Sequence, residues 1–308
     1  MNGERKLRAW LGDRPLPAWI LAVLALQACA AAVVWLVGIL TGEHRWAAEC
    51  AGYIGAFFLT GTAVAEAGAA AFVLLHFQNG EALRPAWLVL LLAGCARLAG
   101  VLLIELGASP SQTAGSPGLA ASLRELGLLA GGPLQMALLG LGLAFALRVY
   151  RKAGLAGQLG RFDRFTFLVG VLFATQLSLL WPTWTGASAS ETGLITRINF
   201  SSGPLLSLLL LESILLRRSA ARLHGGLIGE CWSAYAAATF LSILADVGGW
   251  AAVHGQLPAA FGAISRFLAY PAAAAYALGP ALQATAILRV RQRCAMRSLA
   301  AGVAPLTR

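Results

Sequence analysis

The sequence predicts an all-α polytopic membrane protein, with eight transmembrane helices built as two parallel four-helix repeats and both termini cytoplasmic. Three observations lead there. The 308 residues are 58% hydrophobic and only 12% charged, roughly half the charge of a soluble domain. The apolar residues fall into long runs, each able to cover the ~30 Å hydrocarbon core at 1.5 Å per residue. Basic residues gather on alternate connections.

Taken in order, the spans are residues 16–40, 50–77, 85–107, 123–149, 165–184, 195–216, 227–254 and 258–290. In lipid only a helix satisfies its own backbone groups over such a run. The first run has no small-residue cleavage site after it, so it reads as a retained helix rather than a signal peptide. The chain then divides into a basic N-terminus (1–15), a first half (16–150), a basic linker (151–164), a second half (165–290) and a basic tail (291–308). The halves share short signatures. Ala25-Leu26-Gln27 with Trp35 matches Ala174-Thr175-Gln176 with Trp184, and Glu66 in span two matches Glu212 in span six. Gly132-Pro133 and Leu147-Arg148-Val149 in span four match Gly279-Pro280 and Leu288-Arg289-Val290 in span eight. Four spans per half leave the halves in the same orientation.

Eighteen of the 23 Lys and Arg lie on the side of the N-terminus, while Arg45, Arg124 and Arg197 lie on the other. This bias sets the orientation as N-in and C-in, in a cytoplasmic (inner) membrane. The net charge of +10 is therefore an orientation signal and a contact for anionic lipid, not a nucleic-acid surface. The five cysteines are scattered without a C-x-x-C pair, which excludes an iron–sulfur or zinc site of the usual spacing. Walker A, H-E-x-x-H and G-x-S-x-G are absent. No catalytic residue is assigned. Glycine is abundant, and the Gly61–Ala65 and Gly94–Leu98 neighbourhoods read as faces for close helix packing.

An ionisable side chain at mid-bilayer is costly unless paired or wetted. Glu66 and Arg97 fall near the middle of spans two and three, and Asp246 and Arg266 at matching depth in spans seven and eight. Two buried pairs are expected, Glu66–Arg97 and Asp246–Arg266. Each either holds helices together by mutual neutralisation or carries protons. Glu212, nearer the cytoplasmic face and beside Arg217, reads as a snorkelling residue. His76 ends span two. It is either an interfacial helix-end residue or a group that hydrogen-bonds a quinone carbonyl and passes a proton.

Further residues carry a resemblance. Pro182-Thr183-Trp184 closes span five, and Phe200-Ser201-Ser202-Gly203-Pro204 opens span six. Leu74-Leu75-His76-Phe77 is followed by Arg84-Pro85-Ala86-Trp87, Leu147-Arg148-Val149-Tyr150-Arg151 ends span four, and Arg266-Phe267-Leu268-Ala269-Tyr270 lies in span eight. In this order the pieces resemble the dimethyl-sulfoxide-reductase anchor family (DmsC-like) and the related NrfD/polysulfide-reductase membrane subunits of molybdenum-dependent oxidoreductases. The family's Ser-Arg-Glu near the start of span three has no counterpart here. The resemblance implies a bundle of two four-helix halves without haem or metal of its own. It also implies menaquinone or ubiquinone as bound substrate, and an iron–sulfur electron-transfer subunit and a molybdenum-containing catalytic subunit as partners. The residues expected at the quinone or on the proton route are His76, Arg84, Glu66 and Arg97. Pro182, Trp184, Gly203 and Tyr270 are the remaining motif positions. The competing expectation, from the repeat and the midplane charges alone, is a small-solute transporter.

Overall fold

The computed structural model describes residues 15–42, 44–108, 117–175, 203–222, 227–253 and 259–300. Every regular element among them is helical. In order they are α1 (Pro15–Thr41), α2 (His44–His76), α3 (Arg84–Ala108), α4 (Pro117–Leu129), a π-helical segment (Ala130–Leu134), α5 (Gln135–Lys152), α6 (Arg161–Thr175), α7 (Gly203–Ala221), α8 (Leu227–Val253) and α9 (Ala259–Ala300). Four described stretches are long and apolar enough to cross a membrane: Gly52–His76, Arg84–Gly107, Gly118–Lys152 and Ile228–Gly248.

Local chemistry sets the boundaries. Pro85 and Pro204 sit in first turns, where a missing N–H costs nothing. Gly154, at φ +72°, ends α5. Its N–H donates to the Arg151 carbonyl and that of Leu155 to the Tyr150 carbonyl, a Schellman closure that needs the left-handed conformation. Pro133 makes the π segment. It has no N–H for the Leu129 carbonyl and its ring crowds that group. The coil widens by one residue, and the Gln135 N–H reaches back to the Ala130 carbonyl.

Packing follows the small residues, because lipid gives helices no hydrophobic reason to associate. α3 meets the π segment and α4 so closely that a Cβ on Gly100 would lie 2.5 Å from the Gly131 nitrogen and 2.8 Å from the Gly127 oxygen. Gly94 lies against the backbone of Ala67 in α2. Consecutive helices pair from α1 to α4 and again from α6 to α9. In addition α9 lies on α2 and α1, and α5 lies on α3 and α7. The interior holds Trp87, Leu90, Leu139, Leu143, Leu209 and Trp232. Phe57, Leu75, Leu92, Leu141, Leu168 and many other apolar side chains face outward, a surface suited to acyl chains rather than water.

The 151–164 linker is tied to the end of α7. The Gly157 N–H donates to Ser219 Oγ at 3.1 Å and the Gly160 N–H to Asp163 Oδ2 at 3.0 Å. The buried Asp163 carboxylate also accepts from Arg217 and Arg218. Burial pushes this carboxyl up, but the Arg218 and Gly160 hydrogen bonds and both guanidinium charges outweigh it and hold it below its usual range.

Two outcomes are expected. Gly100→Ala should destabilise by about 1–3 kcal/mol, because the neighbours are backbone and cannot swing aside; thermal unfolding in detergent measures it. A depressed carboxyl stabilises above its unfolded pKa and loses that contribution as pH falls through the folded value. Asp163→Asn should therefore be less stable than the parent at pH 7 and match it once acid has protonated Asp163, as paired melting curves against pH will report.

Candidate functional site

The centre of the bundle is polar. Glu66 and Arg97 are both buried, and Arg97 Nη1 donates to Glu66 Oε2 at 2.6 Å. The same nitrogen reaches the Ala273 carbonyl of α9 at 3.3 Å. Arg97 Nη2 donates to Thr62 Oγ1 at 2.9 Å, and Thr62 in turn donates to the Leu59 carbonyl at 3.0 Å. The Tyr276 ring lies 6.0 Å from the guanidinium carbon, within reach of a cation–π attraction. Glu66 Oε1 is buried and has no hydrogen-bond partner among the described atoms. Thr62 and Glu66, four residues apart, share one helix face. The expected Glu66–Arg97 pair is thus formed, and it joins α2, α3 and α9.

Cavities flank the pair. The larger, about 620 Å³, lies between α1, α2 and α9 and is walled by Trp19, Val23, Phe58, Ala65, Phe72 and Ala281, with Thr62 as its polar side chain. Gly61 and Gly68 also line it, and a Cβ on either would meet nothing within 4 Å. The Gly61–Ala65 stretch, expected to be a close packing face, is instead a cavity wall: helix α1 stands off from it. The smaller cavity, about 170 Å³, is the more polar of the two. Arg97, Gln135, Ser242, Asp246 and Tyr276 contribute to its lining.

Of the expected site residues, His76 and Arg84 lie apart from this centre. Ten residues separate His76 from Glu66, about 15 Å along the helix. His76 Nδ1 lies 2.7 Å from the Phe72 carbonyl. A carbonyl only accepts, so Nδ1 carries the proton and Nε2 is left as an acceptor in the neutral ring. The imidazole lies on the Phe72 ring, 4.1 Å between centroids, and Phe72 reaches the large cavity. Arg84 opens α3, its Nε buried without a partner. Of the four candidates, the structure brings Glu66 and Arg97 together and leaves His76 and Arg84 away from them.

Asp246 lies on the wall of the small cavity and is accessible there. The Arg266 side chain, and with it the expected second pair, lies outside the described residues, as do Pro182 and Trp184. Gly203 is buried at the start of α7, and its carbonyl accepts from Ser207 at 2.9 Å. Tyr270 packs edge-on to Phe58, centroids 5.7 Å apart, with its hydroxyl over Gly55. Glu212 does not snorkel. It is buried with Oε2 unbonded, because its expected neighbour Arg217 is turned to Asp163.

A reading centred on formal charge misses Thr62, Gln135, Ser242 and Tyr276. Their signal is mid-span polarity, and in Gln135 a position two residues after the helix-widening Gly-Gly-Pro. Comparison with family models, curated proteins and solved structures gave no match.

Arg97→Met strands a buried carboxylate and should cost about 3–5 kcal/mol, while Glu66→Gln with Arg97→Met should recover most of it. Denaturant unfolding in mixed micelles of the single and double variants measures both. Equal loss in the two would show that the guanidinium matters through Thr62 and Ala273 alone.

Proposed function

We propose that the chain is an integral membrane anchor subunit of a multisubunit oxidoreductase that binds a quinol or quinone in the cavity between α1, α2 and α9. The observation carrying this reading is the cavity itself: about 620 Å³, apolar, with one hydroxyl, that of Thr62, bonded to a buried guanidinium. Ligand sites for small amphipathic molecules have this size and this sparse polarity. A quinol hydroxyl would donate to the remaining lone pair of Thr62 Oγ1, whose own proton is held by the Leu59 carbonyl, and the isoprenoid tail would leave among Trp19, Val23 and Phe57. Electrons would pass to an iron–sulfur partner subunit and thence to a molybdenum-containing subunit, as the resemblance implies. His76 Nε2, an acceptor on the far side of Phe72, is the group to take the quinol proton.

In this reading the chain crosses the cytoplasmic membrane eight times, in two parallel halves, with both termini inside. The contact network supports it. Taking α4, the π segment and α5 as one span, the packing of α1 on α2 answers that of α6 on α7. Likewise α2 on α3 answers α7 on α8, and α3 on the fourth span answers α8 on α9. The halves meet through α2 on α9 and, equivalently, α7 on α5.

A second reading, a small-solute transporter, draws on a different observation: the polar cavity holding Asp246 and Arg97 where the halves meet. Midplane sites at a repeat interface serve alternating access.

Gly61→Leu separates the two. The substitution enters open space, so the fold should stay intact while the cavity fills. Protein purified from its native membrane should carry extractable quinone with iron and molybdenum in stable ratio, and the variant should lose the quinone and keep the metals. A parent without quinone or metals, active in solute uptake in proteoliposomes, would favour transport.

A further inference from the structure

A third cavity, about 420 Å³, lies between α5 and α7, away from the ion pair. Its walls are leucines, among them Leu147, Leu208 and Leu211. Arg148, Arg151 and Lys152, all exposed, line it from the last turns of α5. Glu212 lines it from α7. That carboxylate is buried, with 8% of the residue exposed, and Oε2 has no hydrogen-bond partner. Gly140 of α5 lies opposite, where a Cβ would stand at ordinary contact distance, 3.9 Å, from Oε2.

The arrangement is bipolar. Three cations suit a phosphate-sized anion, one carboxylate, drawn on by the charge of Arg151 but with a buried oxygen still unbonded, suits a charged donor, and leucines offer an apolar wall to a chain. A free phosphate would meet the cations but leave Glu212 unsatisfied and repelled. A lone cation would leave the three basic side chains facing one another. We propose that this cavity binds the headgroup of an aminophospholipid of the phosphatidylethanolamine type. Its primary ammonium donates to Glu212, its phosphate is held by Arg148, Arg151 and Lys152, and an acyl chain runs along Leu208 and Leu211. Charge-assisted bonds of this kind hold at both ends of the headgroup. Basic pockets between helices at a membrane face are established places for lipid headgroups. The carboxylate is what selects among lipids here. Phosphatidylcholine has no N–H to donate, and phosphatidylglycerol has no positive charge. The inference does not depend on the quinone reading.

The test is native mass spectrometry of the full chain released from mild detergent, titrated separately with dioleoyl phosphatidylethanolamine, phosphatidylcholine and phosphatidylglycerol. Phosphatidylethanolamine should be retained about tenfold more strongly than the other two, the effect of one hydrogen bond to a charged group. Glu212→Gln should remove that preference while leaving phosphatidylglycerol binding undiminished. Arg148→Ala with Arg151→Ala should weaken all phosphate-bearing lipids. Equal retention of the three lipids by the parent, or a preference for phosphatidylglycerol, overturns the proposal. So does a Glu212→Gln variant that keeps the ethanolamine preference. Should the variants fail to fold, the headgroup series on the parent decides alone.

Discussion

A carboxylate and a guanidinium in contact at the middle of an apolar bundle constrain everything around them. Neither charge is tolerable there alone, and the pair is tolerable only if the remaining lone pairs and protons find partners. Arg97 therefore fixes three helices at once: α2 through Glu66 and Thr62, α3 through its own backbone, and α9 through the Ala273 carbonyl. The close approach of α2 to α3 is what lets the two side chains meet, and Gly94 against Ala67 makes that approach possible. Tyr276 then closes over the guanidinium, and the aromatic packing of Tyr276 with Tyr235, Trp232 and Trp87 extends from it back to the start of α3.

Glycine is used in opposite ways on neighbouring helices. At positions 94 and 100 the missing side chain brings two backbones together, and a Cβ would strike main-chain atoms. At positions 61 and 68 it leaves a void where α1 stands away. Both kinds of position read alike as a string of letters. Only the neighbour's placement separates a contact from a cavity.

This is also where the sequence stops being legible. Runs of apolar residues mark the helices, and the helix ends at Arg84-Pro85 and Gly154 follow from local backbone chemistry. Glu66 and Arg97 identify each other because two opposite charges at equal depth have few other solutions. For Glu212, sequence proximity favours Arg217, whereas the fold brings Asp163 of the linker to that arginine. Gln135 and Tyr276 carry no such signal, because an uncharged polar residue in a span has many harmless uses. The place of Gln135 on the Arg97 cavity depends on the π segment, whose extra residue turns the following face of the helix.

The length of α9 has a mechanical meaning. Its 42 residues make a rod of about 63 Å, roughly twice the ~30 Å thickness of a bilayer's hydrocarbon core, and a rod of that length is a lever arm. Pro271 and Pro280 interrupt its hydrogen-bond ladder within the bundle. A bend of about 10° there, modest beside ordinary helix tilts of up to ~40°, sweeps the far tip through about 5 Å. Small adjustments around Arg97 and Tyr276 would thereby be magnified at the far end of the helix, in its last turns.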